Sequence, residues 1–199
     1  DTLIGLGLGS IWKIDGANAG NVAGISYSGI ENLLGGIGND NFVFTADGSL
    51  SGSITGSGGN DRIRGGDKGN QWHINGNNSG KLNNGNFSGI QYLEGGNDAD
   101  EFVLFDGGLL AGGLDGQDGN DTVVGADTEN IWLVTAADAG TINSLAFSAV
   151  ENLSGGLLGD NFVFAGGSVS SSSGGGGTDT LDFSADTAGV VLELAAGTA

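Results

Sequence analysis

The 199-residue chain has no cysteine, no proline and no methionine, one histidine, and only five lysines and arginines together. Without cysteine there are no disulfides and no thiol chemistry. Without proline or a Gly-X-Y period, the 43 glycines do not make a collagen-like helix. They do not make a disordered linker either, because 38% of the residues are hydrophobic, enough to bury a core. Positive charge is what the chain lacks most. Twenty-four acidic residues against five basic ones give a formal net charge of −19. Nucleic acid and anionic membranes both reward Lys and Arg, so neither is an expected partner. The same excess favours solubility and bound cations. No apolar run is long enough to span a bilayer and no signal peptide is visible, so membrane insertion is not expected. The chain starts without Met and begins and ends inside its own pattern, which reads as an internal fragment of a longer protein.

What is present is repetition. Trp12, Trp72 and Trp132 recur at one fixed interval, and the flanking columns align with them. Asp1-Thr-Leu, Asp61-Arg-Ile, Asp121-Thr-Val and, after a two-residue deletion, Asp179-Thr-Leu correspond. So do Phe42-Val43-Phe44, Phe102-Val103-Leu104 and Phe162-Val163-Phe164. The units are residues 1–60, 61–120 and 121–178 of one continuous structure. Residues 179–199 open a divergent repeat, without the Trp segment and with an apolar run from Gly189 to Leu194.

Within a unit, short apolar clusters alternate with polar positions and are separated by Gly, Asn, Asp and Ser, a β pattern. The columns of Trp12 and Ile14 stay large and apolar, whereas Ile11 aligns with Gln71 and Lys13 with His73, so Trp12 and Ile14 face inward. By the same test Leu3, Ile30, Leu33, Phe42, Phe44, Leu50 and Ile54 point inward, with their equivalents Ile63, Ile90, Leu93, Phe102, Leu104, Leu110 and Leu114. The expected fold is all-β: a parallel β-solenoid (β-helix) with coils of about 20 residues, three per unit, whose edges pair at about 4.8 Å per coil. Helices are not expected, because no 3.6-residue period is sustained and glycine disfavours helix interiors by about 1 kcal/mol.

The turns carry the one motif with chemistry. Gly35-Gly36-Ile37-Gly38-Asn39-Asp40-Asn41-Phe42-Val43 and Gly174-Gly175-Gly176-Gly177-Thr178-Asp179-Thr180-Leu181-Asp182 both fit G-G-x-G-x-D-x-U-x, and near matches end at Asp61, Asp100, Asp121 and Asp160. Here the chain resembles the RTX, or haemolysin-type calcium-binding, repeats of giant secreted or surface-attached bacterial proteins and adhesins. The resemblance implies Ca2+ bound by Asp40 and Asp179 with the carbonyls of Gly36, Gly38, Gly175 and Gly177, and by Asp61, Asp100, Asp121 and Asp160 in the related turns. Independently of it, two carboxylates one coil apart repel by roughly 3 kcal/mol at an effective dielectric of 20, a cost that a hard cation with oxygen ligands converts into binding. The alternative is that each Asp caps its turn by accepting from nearby backbone N–H groups.

No residue set stands out as catalytic. His73 shares a column with Lys13 and Leu133 and faces solvent; the Trp residues alternate with polar columns and belong to the core. An active site needs one unique constellation, and here each segment echoes another. The sequence therefore points to a non-catalytic stalk or fibre segment, extracellular or on a cell surface, with calcium and copies of itself as partners. A calcium-dependent carbohydrate- or surface-binding module is the second reading, and a polysaccharide-processing β-helix enzyme the third.

Overall fold

The structure is a computed structural model that describes residues 1–186, so the apolar run from Gly189 to Leu194 lies outside the described residues. All regular secondary structure among them is β. The first unit forms β1 (Thr2–Ile4), β2 (Ile11–Gly16), β3 (Ala19–Val22), β4 (Ile25–Ser28), β5 (Asn32–Leu34), β6 (Asn41–Phe44) and β7 (Ser53–Thr55). The second repeats the series as β8 (Arg62–Arg64), β9 (Gln71–Gly76), β10 (Ser79–Leu82), β11 (Gly85–Ser88), β12 (Tyr92–Gly96), β13 (Glu101–Leu104) and β14 (Gly113–Gln117). The third gives β15 (Thr122–Val124), β16 (Ile131–Ala136), β17 (Ala139–Ile142), β18 (Leu145–Ser148), β19 (Asn152–Ser154), β20 (Asn161–Phe164) and β21 (Ser171–Ser173), and β22 (Thr180–Asp182) begins the divergent segment.

The strands fall into two sheets. The first runs β1-β5-β7-β11-β10-β9-β13-β15-β19-β21, and the second β22-β20-β16-β17-β18-β14-β12-β8-β6-β2-β3-β4. The chain passes back and forth between them, and their inward side chains join in one hydrophobic core. Successive passes pair in parallel, in register: Leu3 opposite Leu33, Leu33 opposite Ile54, and Trp72 opposite Phe102, which faces Val123 in turn. The inward columns are those the alternation marks. Trp12, Ile14, Phe42, Ile63, Leu93 and Phe102 are all buried, whereas Leu3, Ile30 and Phe44 are only partly so.

Two expectations need correction. Pairing is not parallel throughout, because in each unit the Trp strand folds back twice: β2, β3 and β4 form an antiparallel meander, as do β9, β10, β11 and β16, β17, β18. The reason is local. Asn18, Asn78 and Asp138 adopt φ of 51°, 53° and 52°, and the second turns of the meanders place Ala23, Asn83 and Asn143 at 51°, 52° and 53°. In the second turns the positive φ falls on the first central residue, as a two-residue hairpin turn that matches strand twist requires, and in the first turns it falls on the second, beside a register shift in the pairing. Nor does a unit divide into three equal coils. The chain takes a longer path back to the same sheet where a meander intervenes, from Leu3 to Leu33, than where none does, from Leu33 to Ile54.

Each unit therefore visits five successive positions in alternate sheets, an odd number. As a result β1 and β15 lie in the first sheet, and β8 and β22 in the second. Consecutive units face opposite ways, and the true structural period is two units. Trp12 and Trp132 belong to one sheet and Trp72 to the other.

The meander also explains the glycine at its centre. Gly80 pairs with Phe87 across β10 and β11, and a methyl group on Gly80 would lie 1.9 Å from the His73 carbonyl oxygen and 2.9 Å from the Phe87 ring. Gly20 and Gly140 occupy the same position, with 1.9 and 2.1 Å to the corresponding carbonyl oxygens. Only a bare Cα lets the Phe87 ring fold over the strand and meet Trp72 edge-on, at a centroid distance of 6.4 Å.

Candidate functional site

Nine connections between the sheets share one design, a six-residue turn that opens on Gly and closes on Asp, Asn or Ser: residues 5–10, 35–40, 56–61, 65–70, 95–100, 116–121, 125–130, 155–160 and 174–179. The closing residues stack into ladders in which the backbone N–H of one donates to the side chain of the next. In the first unit Ser10 N donates to Asp40 Oδ1 at 2.8 Å, Asp40 N to Asp61 Oδ1 at 2.7 Å, and Asp61 N to Gln91 Oε1 at 2.6 Å. In the second, Asn70 N donates to Asp100, Asp100 N to Asp121, and Asp121 N to Glu151, each at 2.7 Å. In the third, Asn130 N reaches Asp160 at 2.8 Å and Asp160 N reaches Asp179 at 2.9 Å. The first and third ladders lie where the chain crosses from the first sheet to the second, and the middle ladder where it crosses back.

The six acidic candidates are thus brought together in pairs, Asp40 with Asp61, Asp100 with Asp121, and Asp160 with Asp179. Asp61 and Asp100 stand on opposite edges. Ser10, Asn70, Asn130, Gln91 and Glu151 belong to the same ladders, although the glycine–aspartate motif does not single them out. The nine-residue step from Asp61 to Asn70 and from Asp121 to Asn130 is the signal that could have found two of them.

Five of the acids, Asp40, Asp61, Asp100, Asp121 and Asp160, are no more than 2% exposed, so each oxygen needs a partner. Asp40 is well supplied: its Oδ2 accepts from Gly36 N at 2.8 Å, and its Oδ1 also from the Trp12 indole at 3.2 Å. Asp160 Oδ2 accepts from Gly156 N at 2.9 Å. Both act as turn caps. The Gly36 carbonyl is turned along the stack, where it accepts from Gly58 N at 3.1 Å.

The other three buried acids differ. Asp61 Oδ2, Asp100 Oδ2 and Asp121 Oδ2 are buried and make no hydrogen bond. Burial disfavours the ionised form, pushing Asp100 up to about 6 and, helped by the charges of Asp100, Glu151 and Asp115, pushing Asp121 up to about 7. Asp61 is raised for the same reason. An orphaned, desolvated carboxylate oxygen attracts a proton or a cation, and these three fit Ca2+ as oxygen donors. Among the described residues no group of three or more Asp, Glu, His or Cys could hold a metal, so a carboxylate pair here would need further oxygen donors to hold an ion.

The small residue opening a ladder decides what its Trp does. Ser10 leaves room for the Trp12 indole to reach Asp40. In the later units Asn70 Nδ2 takes Asp100 Oδ1 at 2.8 Å, and Asn130 Nδ2 takes Asp160 Oδ1 at 2.7 Å. The Trp72 and Trp132 indoles are left without acceptors. The same Asn side chains close their turns by donating to carbonyls, Gly66 and Lys68 for Asn70, and Ala126 and Thr128 for Asn130.

The opening glycine is required by the carboxylate folded over it. A methyl group on Gly95 would lie 2.3 Å from Asp100 Oδ2 and 2.4 Å from the Gly116 carbonyl oxygen. Gly95→Ala is expected to destabilise the fold by about 1–3 kcal/mol, the usual range for overpacking. Urea denaturation measures it. A cost below about 0.5 kcal/mol, the level of a neutral surface change, would show that the carboxylate and the Gly116 backbone both give way freely.

A scan against protein-family models finds no match, and neither curated proteins nor solved structures give a significant one.

Proposed function

We propose that the chain is a length of β-solenoid serving as a non-catalytic structural segment, a stalk or fibre, of a large extracellular or cell-surface bacterial repeat protein, with calcium held in its acidic turns. One observation carries the reading: the first unit hands two sheet edges and one side-chain ladder to the second, and the second hands the same to the third in the same register, a pattern that can be continued by adding units. Stability of this kind is a sum over neighbours, which suits a spacer whose length is set by repeat number. The orphaned carboxylate oxygens of Asp61, Asp100 and Asp121 support calcium, above all in the Asp100–Asp121 pair, because a cation would remove the repulsion there. A catalytic role finds no support in a chain whose acidic groups recur in every unit.

The test is length. Two units advance each sheet by seven strands. At about 4.8 Å per strand, duplicating residues 1–120 in tandem should lengthen the particle by about 34 Å at constant cross-section. Small-angle scattering reads both quantities. A thicker particle of unchanged length would sink the stalk reading.

A further inference from the structure

The junction between the first and second units holds a cavity of about 440 Å3, within the size range of small-molecule sites. Its floor is apolar, formed by Phe44, Leu50, Ile54, Leu82 and Phe87. Its rim is polar: Ser49, Lys68, Asn84 and Asn86 line it beside Asn18, Asn70 and Asn83. The last three are committed within the protein, Asn18 to Ser51, Asn70 to its turn carbonyls, and Asn83 to Asn70 and to the Gln71 amide. The side chains of Asn84 and Asn86 make no hydrogen bond in the structure; both residues are exposed, where the hairpin turn between β10 and β11 enters β11. The ion pairs of the described residues do not include Lys68, in a chain of net charge −19.

The same junction recurs one unit later as a cavity of about 280 Å3 lined by Leu104, Leu109, Thr128, Ile142, Asn143 and Ser144. The hollow itself is therefore a product of the fold, where the connection after β6 or β13 meets the next meander. Its furnishing is not. Thr128 stands at the position of Lys68, Leu109 at that of Ser49, Ser144 at that of Asn84 and Ala146 at that of Asn86. Free carboxamides and a cation are confined to the first junction.

We infer that the first cavity binds a neutral saccharide, which goes beyond the structural role proposed above. A sugar ring offers an apolar C–H face and a rim of hydroxyls that each donate and accept. The floor, with the aromatic side chains of Phe44 and Phe87, matches the face. The free carboxamides of Asn84 and Asn86, each both donor and acceptor, match the rim, and Lys68 Nζ adds donors. A phosphate or nucleotide needs more than one cation in so acidic a chain, and a lipid chain would leave the carboxamides unpaired. No Asp, Glu or His lines the cavity, so the site binds and does not hydrolyse.

Amide chemical shifts of the full chain, titrated separately with glucose, galactose, mannose and N-acetylglucosamine at millimolar concentration, test this. At least one sugar should shift the Leu50, Gly85 and Phe87 amides saturably, while those of Ser144 and Leu145 at the second junction stay still. In the Asn84→Ala/Asn86→Ala variant the affinity should fall roughly tenfold or more, with an unchanged melting midpoint, since neither side chain bonds within the protein. Silence towards all four sugars overturns the proposal. So does undiminished binding by the double variant, or an equal response at both junctions.

Discussion

Trp72→Ala is expected to cost about 3–5 kcal/mol, a large share of the stability of any single domain. The side chain is fully buried. It lies parallel to Phe102 with ring centroids 5.7 Å apart and an interplanar angle of 6°, and meets Phe87 edge-on. Phe102 belongs to the next pass of the chain and Phe87 to the returning strand of the same meander, so the indole ties three strands of one sheet. Truncation leaves a cavity that the surrounding backbone, hydrogen-bonded on both sides, cannot close. Urea denaturation with unchanged m-value gives the number, and a loss under about 1 kcal/mol would show that the sheet relaxes to fill the space.

The conservative change separates packing from hydrogen bonding. Trp12→Phe removes a bond from the indole to Asp40 Oδ1 as well as ring volume, whereas the Trp72 indole N–H has no acceptor to lose. A buried unpaired donor is itself unfavourable by about 1–3 kcal/mol, so removing it offsets part of the lost packing at Trp72. Trp72→Phe should therefore be the milder of the two. Equal costs would mean that the two indoles sit in equivalent surroundings, and the reverse order that the hydrogen bond does not decide the difference.

Much of this was legible in the sequence. The Trp, Ile14 and Phe42 columns, apolar in every unit, mark the core face without any structure, and the carboxylates that close six of the nine glycine-rich turns show that acids one pass apart must meet. The meanders were harder to read. Their strands at Ala19–Val22 and Ile25–Ser28 are four residues long and joined by two-residue turns, and Ala23, which takes positive φ there, is not a residue that announces a turn. Asn83 and Asn143 in the later units gave the better hint. The rotation between units was out of reach for a different reason. Self-comparison shows that segments recur at a fixed interval, but it carries no record of which sheet receives them, and only five crossings per unit make that alternate. The cavity at the first junction depends on the same crossings, so Asn84 and Asn86 read as ordinary turn residues.

The middle ladder should make stability depend on pH in a direction opposite to that of most carboxylate-rich proteins. An unfolded Asp ionises near pH 3.9, but in the folded chain Asp100 is pushed up to about 6 and Asp121 up to about 7. Between those limits the native state holds more protons than the unfolded one, so stability falls as pH rises. The contribution is fully present below about pH 4 and lost above about pH 7. Asp61 shifts in the same direction. Asp100 and Asp121, joined through the Asp100 N–H, titrate as a coupled pair, so the loss across this window belongs to the pair and not to either residue alone. Melting midpoints measured in EDTA from pH 4 to 8 should decline across the window, and Asp121→Asn should flatten the decline. The substitution is compatible with the turn, because Asn70 and Asn130 already close turns of the same six-residue design and bond their turn carbonyls. It also separates the ladder from the general self-repulsion of a chain carrying −19, which one neutralised residue barely changes. A midpoint that rises with pH, or an equal slope in the variant, removes the orphaned oxygens from the account. Calcium added at pH 8, with magnesium as control, completes the argument. If it restores the midpoint in the native chain and not in Asp121→Asn, the cation occupies the place that the proton holds at pH 4. If it restores neither, proton and hydrogen bonds alone hold these turns, and the calcium part of the proposed role falls.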